Sequence, residues 1–128
     1  MIQPTLKTAA LAAAFALGLT SAQAEDMPVA EVAVFLTIKT QPGQRQALVA
    51  LWDEHLKVRA TENSDHVSYV FALDMSDPDT AYITEVYATQ SAFEANAQSP
   101  WFADYLAKAS QLLAGEPGFA MGSPHWVK

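Results

Sequence analysis

The sequence of 128 residues contains no cysteine, so no disulfide can support a domain of this size. Basic residues are scarce, since seven Lys and Arg stand against fourteen Asp and Glu, and the formal net charge is −7. The few basic residues form no dense run, whereas binding to phosphates needs a concentrated positive face. The composition therefore argues against nucleic acid as a partner. It argues against an anionic membrane surface for the same reason.

Long hydrophobic runs are also missing. The N-terminal run over residues 9–19 follows Lys7 and has the length of the apolar region of a signal peptide, which is too short to span a bilayer. The small residues Ala22 and Ala24 flank Gln23 as in a cleavage site of the A-x-A kind. We expect a signal peptide over 1–24 and a periplasmic or secreted protein, with no membrane attachment after cleavage. An uncleaved membrane anchor is the alternative.

The remaining residues, 25–128, are too few for two ordinary domains. Residues 29–40 alternate as in a β-strand, with aliphatic side chains on one face. The opposite face is also weakly polar, because it carries Ala33, Phe35 and Thr37. A sheet that is apolar on both faces must be covered on both. We therefore expect helices on one face and a second copy of the chain on the other, in a homodimer.

The order of the predicted elements indicates the fold. Helical spacing extends over 44–62, and two strands over 66–74 and 81–88 form a hairpin. A broken helix follows over 90–98 and from Pro100 toward Gly115, and the tail has room for a last strand. This βαββαβ order predicts an α+β, ferredoxin-like fold, with one antiparallel sheet and helices on one face.

Two segments resemble the antibiotic biosynthesis monooxygenase family. "TIKTQPGQRQALVAL" resembles the family's first strand, Pro-Gly turn and first helix. "TEVYATQSAFEANAQSPWFADYLAKASQLLAGEP" resembles its second half, so the resemblance covers most of residues 30–117. It implies a dimeric α/β barrel. Several members oxidise quinols or polycyclic phenols with O₂ and no metal or flavin, whereas others degrade haem or have no known reaction.

The sequence departs from the family pattern at several positions. Tyr87 stands where the family often has Trp, and Asn96 and Trp101 stand where it often has two His. The haem-degrading branch uses an Asn on the first strand, a Trp at position 96 and a His at the position of Leu106, and this chain has none of them. The phenol-oxidising branch uses an Asn and an Arg where this chain has Ile83 and Leu106. The resemblance thus disfavours haem degradation.

Oxygenation without a cofactor needs a base for the substrate proton and hydrogen-bond donors for the developing oxyanion. His55 and His66 are the candidate bases, because imidazole titrates near neutral pH. His55 lies on the apolar stripe of the first helix, facing the sheet, and His66 begins the second strand. Asn96 and Tyr87 are the candidate donors. A purely structural role remains open for each of these residues.

Three aromatic residues are candidates for binding a flat substrate, namely Trp101, Tyr105 and Phe93. The histidines have no i, i+4 pairing and cysteine is missing, so we predict no metal site. The resemblance implies that no other cofactor is needed. The resemblance therefore implies a cofactor-independent monooxygenase acting on a quinol or small phenol with O₂. The alternative is a non-catalytic, dimeric module of the same fold that binds a small ligand.

Overall fold

The computed structural model describes residues 30–128. The predicted signal peptide and its cleavage site lie outside the described residues. In chain order the elements are β1 (Val32–Lys39), α1 (Arg45–His55), α2 (Lys57–Glu62), β2 (His66–Leu73), β3 (Thr80–Tyr87), α3 (Gln90–Ala97), α4 (Pro100–Ala109), a 3₁₀ turn (Ser110–Leu112) and β4 (Gly118–Gly122).

The four strands form one antiparallel sheet in the order β2-β3-β1-β4. This order places β1 between β3 and β4, so the first strand of the sequence is central in the sheet. The predicted α+β, ferredoxin-like fold is confirmed. Because β3 lies beside both β1 and β2, its inward side chains reach the middle of the covered face.

The helices cover one face of the sheet and bury the predicted apolar face of β1. Val32, Val34 and Ile38 are buried there, and Ile38 packs with Leu48 of α1 and Ile83 of β3. Removing such side chains from water contributes about 1.5–3 kcal/mol each. The covered face therefore supplies most of the apolar core.

The helix predicted over 44–62 is two helices. Leu56 separates them and remains buried, and its N–H still donates to the carbonyl oxygen of Trp52 at 2.8 Å. No Pro or Gly lies nearby, and nothing in the local sequence explains the break. Of the two caps predicted for the broken helix, one forms. At the start of α3 the Thr89 hydroxyl accepts from the N–H of Ala92, whereas at the start of α4 the Ser99 side chain makes no cap bond.

The end of the last helix also differs from expectation. Helix α4 ends at Ala109 and passes into the 3₁₀ turn. The helix was expected to extend toward Gly115, so it stops several residues earlier than predicted. The final strand is Gly118–Gly122 and stops before the Pro124 region, where an interruption was expected. These changes affect the edge of the sheet, and the predicted element order is retained.

A β-bulge at the start of β2 changes which face His66 occupies. His66 pairs with Tyr87 and Ser68 pairs with Val86, so Val67 is the extra residue. Strict alternation would place His66 on the face opposite to Tyr69. With the bulge, the rings of His66 and Tyr69 lie 5.3 Å apart on the covered face.

The other face of the sheet remains open over much of its area. Phe35 of β1 and Val70 of β2 lie in one row across it, and their exposed fractions are 48% and 52%. Val127 of the C-terminal tail packs on Ala33 and Val86 and covers only one end. The second apolar face of β1 that the sequence predicts is thus present in the fold.

Candidate active site

A cavity of about 260 Å³ lies between the covered face of the sheet and the helices. Aliphatic side chains of β1, β3, α1 and α4 form much of its wall, among them Val34, Leu36 and Ile83. Polar side chains also reach it, and these are Arg59, His66, Tyr69, Glu85, Tyr87, Asn96 and Tyr105. A largely apolar cavity with a few convergent polar groups is the usual form of a small-molecule site.

Four of these polar side chains form one hydrogen-bonded chain. The amide Nδ2 of Asn96 donates to the hydroxyl of Tyr87 at 3.0 Å, and that hydroxyl donates to Oε1 of Glu85 at 2.8 Å. Nε2 of His66 lies 3.1 Å from the same carboxylate oxygen. A neutral His66 therefore carries its proton on Nε2, because the carboxylate can only accept. This leaves Nδ1 free to take a proton.

The local structure explains how these side chains converge. Glu85 and Tyr87 are two residues apart on β3, so they point to the same face of the sheet. The bulge in β2 places His66 opposite Tyr87, with ring centroids 4.4 Å apart. Asn96 comes from the last turn of α3, which crosses the same end of the sheet. Three elements thus supply the hydrogen-bonded chain.

Burial keeps the tyrosines of the cavity protonated. It raises the pKa of Tyr87 far above the ordinary value, and the negative charge of Glu85 raises it further. Burial also raises the pKa of Tyr69, and that of Tyr105 to about 12. At neutral pH these phenols are donors or acceptors of hydrogen bonds and cannot act as bases. His66 and Glu85 remain as the groups that can accept a proton.

Nδ1 of His66 is the distinctive atom of this site. It is buried and has no hydrogen-bond partner within residues 30–128. A buried nitrogen without a partner costs free energy, about 1–3 kcal/mol, unless something pairs with it. The His66 side chain lines the cavity, so a ligand group is a candidate partner once a small rotation of the ring turns Nδ1 toward the cavity.

Aromatic rings line the part of the cavity near the helices. Phe93 packs edge-on against Tyr87 at 5.5 Å between ring centroids, and Phe102 lies 6.1 Å from Trp101 and 6.2 Å from Tyr105. All three predicted substrate-binding residues, Trp101, Tyr105 and Phe93, line the cavity. Tyr105 is also part of the buried core, so it serves packing as well.

A cation and an aromatic ring meet at an exposed part of the cavity wall. The guanidinium carbon of Arg59 lies 4.5 Å from the centre of the Trp101 ring, within the range of a cation–π contact. Both residues line the cavity and also an outer groove between α1, α2 and α4. The stacked pair therefore forms the wall between the cavity and this groove.

The structure brings together three of the four predicted catalytic residues, His66, Tyr87 and Asn96. His55 does not line the cavity, contrary to the expectation that it faces the sheet. Leu56 lies eight residues after Leu48 and takes the inward position instead. His55 lies in the outer groove, where its Nε2 is 3.9 Å from a carboxylate oxygen of Glu54.

Sequence reasoning missed Glu85 and Arg59. A signal for Glu85 was present, because period two puts it on the same face of β3 as Ile83 and Tyr87. A carboxylate on the buried face of a strand is uncommon unless it is paired. Arg59 gave no comparable signal, because an Arg near a helix end is ordinary.

The fold and the cavity define a ferredoxin-like α+β protein with a largely apolar pocket between helices and sheet. The chain belongs to the antibiotic biosynthesis monooxygenase family, whose model matches residues 31–108. The predicted resemblance is confirmed at the level of the family.

Solved structures agree with this assignment. A protein of Chloroflexus aurantiacus J-10-fl named after the same family has 28% identity and a TM-score of 0.65, with 76% of this chain and 95% of that chain covered. A Mycobacterium tuberculosis protein has 25% identity and a TM-score of 0.64, with 73% and 93% covered. A Caulobacter crescentus CB15 protein with 16% identity and a TM-score of 0.69 shares the fold over 74% and 90%. No curated protein matches the sequence.

Two further features of the described part concern metals and membranes. Within residues 30–128, no three His, Cys, Asp or Glu side chains are grouped so that they could hold a metal ion. No helix in the same range is both long and apolar enough to cross a bilayer.

Proposed function

We propose that the protein is a cofactor-independent monooxygenase that oxidises a quinol or another small phenol with O₂. The observation that supports this proposal is the hydrogen-bonded chain of His66, Glu85, Tyr87 and Asn96 on the wall of a largely apolar cavity. The name of the family and of its Chloroflexus aurantiacus relative points to the same class of reaction.

The first step is removal of the phenolic proton. Nδ1 of His66 takes it, because Nε2 is already committed to Glu85 and the tyrosines are protonated. The carboxylate of Glu85 fixes the imidazole ring and stabilises the imidazolium that forms, as a carboxylate does behind a catalytic histidine. Asn96 uses one of its two amide N–H groups on Tyr87. Its other N–H is suited to the substrate oxygen.

The second step is reaction of the phenolate with O₂. The anion gives one electron to O₂, and the resulting radical pair combines to form a carbon–oxygen bond. The O–O bond of the peroxide then breaks while the ring carbon loses its hydrogen as a proton. One oxygen atom remains on the ring as a carbonyl and the other leaves as water. The substrate supplies all four electrons, so no external reductant is needed.

Oxygen uptake by the purified protein with a panel of quinols and phenols tests the proposal. We expect uptake above that of heat-denatured protein, and one ¹⁸O atom in the product when ¹⁸O₂ is used. The non-catalytic alternative predicts binding of the same compounds with no uptake. That result, for every member of the panel, would contradict the proposed activity.

We propose in addition that two copies pack through the open face of the sheet. The exposed apolar row with Phe35 and Val70 supports this, because solvent-exposed apolar area of this kind usually marks an interface. Sedimentation at micromolar concentration should give a homodimer, and Phe35→Lys should give a monomer. A wild-type protein that is only monomeric would contradict this part of the proposal.

We also propose that the protein is exported to the periplasm or secreted. The apolar run over 9–19 and the small residues before Glu25 support this. Protein recovered from the periplasm should have a mass that begins at Glu25. A retained Met1 would contradict cleavage.

A further inference from the structure

We propose that the preferred substrate is an aromatic acid, a small hydroxylated ring whose carboxylate is bound by Arg59 at the mouth of the cavity. This inference rests on the proposed function, since it assumes that the cavity with His66 receives the phenol. It concerns the binding step, however, and the affinity for a ligand can be measured without turnover.

The first observation is the unused bonding capacity of Arg59. Its guanidinium makes no hydrogen bond and no ion pair with any residue in the described range 30–128. Arg45 differs, because its Nη1 donates to the carbonyl oxygens of Asp74, Asp77 and Thr80 at 2.9–3.1 Å. Arg45 thus holds a loop together, whereas Arg59 has its five donors available at the edge of a cavity.

The second observation is how Arg59 is held. Its guanidinium carbon lies over the Trp101 ring, 4.5 Å from the ring centroid, in a cation–π contact. The N–H donors of a guanidinium lie at its edge, so this contact leaves them free. A planar group held in this way matches the two oxygens of a carboxylate with two parallel hydrogen bonds. The contact with Trp101 therefore prepares Arg59 for an anionic ligand.

The surrounding charges do not satisfy Arg59. The adjacent outer groove is lined by Lys108 and by three carboxylates, Glu54, Glu62 and Asp104, none of which lies within ion-pair distance of Arg59. The chain as a whole carries −7 and repels anions at long range. Physiological salt screens that repulsion over about 8 Å, so the local cation governs binding at the mouth. The expected preference for an acid is accordingly moderate.

Two polar side chains of the cavity, one buried and one exposed, suit the two polar groups of such a ligand. The side chain of His66 is 6% exposed, and Arg59 is exposed at the surface. In the proposed pose the phenol group lies toward the buried His66, and the carboxylate stays partly hydrated beside the exposed Arg59. The volume of about 260 Å³ fits one or two rings, since an apolar cavity of about 150 Å³ already accepts benzene.

Calorimetric titration under nitrogen with two matched ligands tests the inference. The ligands are 2,5-dihydroxybenzoate and 2,5-dihydroxybenzamide, which have nearly the same shape and differ in one substituent, a carboxylate against a neutral amide. Wild type should bind the acid roughly tenfold more tightly, as expected for one charge-assisted contact at a partly exposed site. Arg59→Gln should remove this preference and leave the affinity for the amide unchanged. Lys57→Gln, the same charge change on α2 outside the cavity, should keep the preference.

Three results would overturn the inference: equal affinities in wild type, a preference that survives in Arg59→Gln, or no binding of either ligand. Oxygen uptake distinguishes a failure of this inference from a failure of the proposed function. A carboxylate preference without oxygen uptake would remove the oxygenase and leave the anion site. Oxygen uptake with neutral quinols, with no gain from a carboxylate, would remove the anion site and leave the oxygenase.

Discussion

The two ends of the β2–β3 hairpin both carry carboxylates, and they use them differently. At the turn, Asp74 accepts from the N–H of Ser76 at 2.8 Å, and Asp77 accepts from the N–H of Asp79 at 2.9 Å. At the open end, the groups of residues 30–128 that donate to Glu85 are both side chains, those of Tyr87 and His66. A carboxylate that binds neighbouring backbone N–H groups forms a turn. One that binds a histidine beside an apolar cavity is a candidate for proton transfer, the role proposed above for this pair.

The two arginines show the same contrast. Arg45 closes the turn by donating to three carbonyl oxygens. Arg59 stacks on Trp101 beside the cavity and leaves its donors unpaired within residues 30–128. Substitutions at the turn should therefore change stability, whereas substitutions at the cavity end should change catalysis or binding.

The largest effect is expected for His66→Ala. Loss of the base should lower the turnover number by about a hundredfold or more. Steady-state oxygen uptake measures this change. His55→Ala is the control, because His55 lies in the outer groove and should leave the turnover number near that of wild type. Equal losses in the two variants would show that His66 is not the base.

Asn96→Ala is expected to have the next largest effect. If the amide holds the oxygen of the substrate, its removal should cost about 1–3 kcal/mol of transition-state binding. The ratio kcat/KM should then fall by a factor of roughly 5 to 150. A normal ratio together with a lower melting temperature would assign Asn96 to the end of α3 instead.

Trp101→Ala should act mainly on KM. A flat apolar wall binds substrate and transition state about equally, so KM should rise several-fold and kcat should stay close to wild type. Initial rates over a wide range of substrate concentration separate the two constants. A large fall in kcat with unchanged KM would place Trp101 in the chemical step.

Asp77→Asn should leave turnover unchanged and lower stability in a pH-dependent way. The hydrogen bond from Lys39, with further bonds from the loop, lowers the pKa of Asp77 from 3.8 to about 2. A carboxyl with a lowered folded-state pKa stabilises the fold above its unfolded pKa, and this contribution disappears as the pH falls through the folded value. Thermal unfolding should thus show a difference between wild type and variant that is full above pH 4 and shrinks toward pH 2. A difference that is independent of pH would refute this explanation.

Much of the fold could be predicted from the sequence, because its signals are local. The alternation in β1, the Pro-Gly turn before α1 and the cap at Thr89 each depend on neighbouring residues. The break at Leu56 was not predictable in this way, since no Pro or Gly marks it.

The site was predictable only in part, because its geometry depends on contacts between distant segments. His66 reaches the cavity through a bulge, which is defined by pairing with β3 and leaves no mark in the sequence of β2 itself. The role proposed for Glu85 depends on its contacts with His66 of β2 and Tyr87 of β3. The contact of Arg59 with Trp101 joins α2 to α4, and no periodic pattern in the sequence of either helix predicts it.

The most direct test of the account compares two carboxylate-to-amide substitutions on the same hairpin, Glu85→Gln and Asp77→Asn. Each removes one negative charge and nearly preserves shape, so turnover under saturating substrate isolates the role of the position. We predict that Glu85→Gln lowers the turnover number by at least about tenfold, because the imidazolium loses its counter-charge. Asp77→Asn should retain the wild-type rate. A Glu85→Gln variant that turns over like wild type would contradict the assignment of proton transfer to this end of the hairpin.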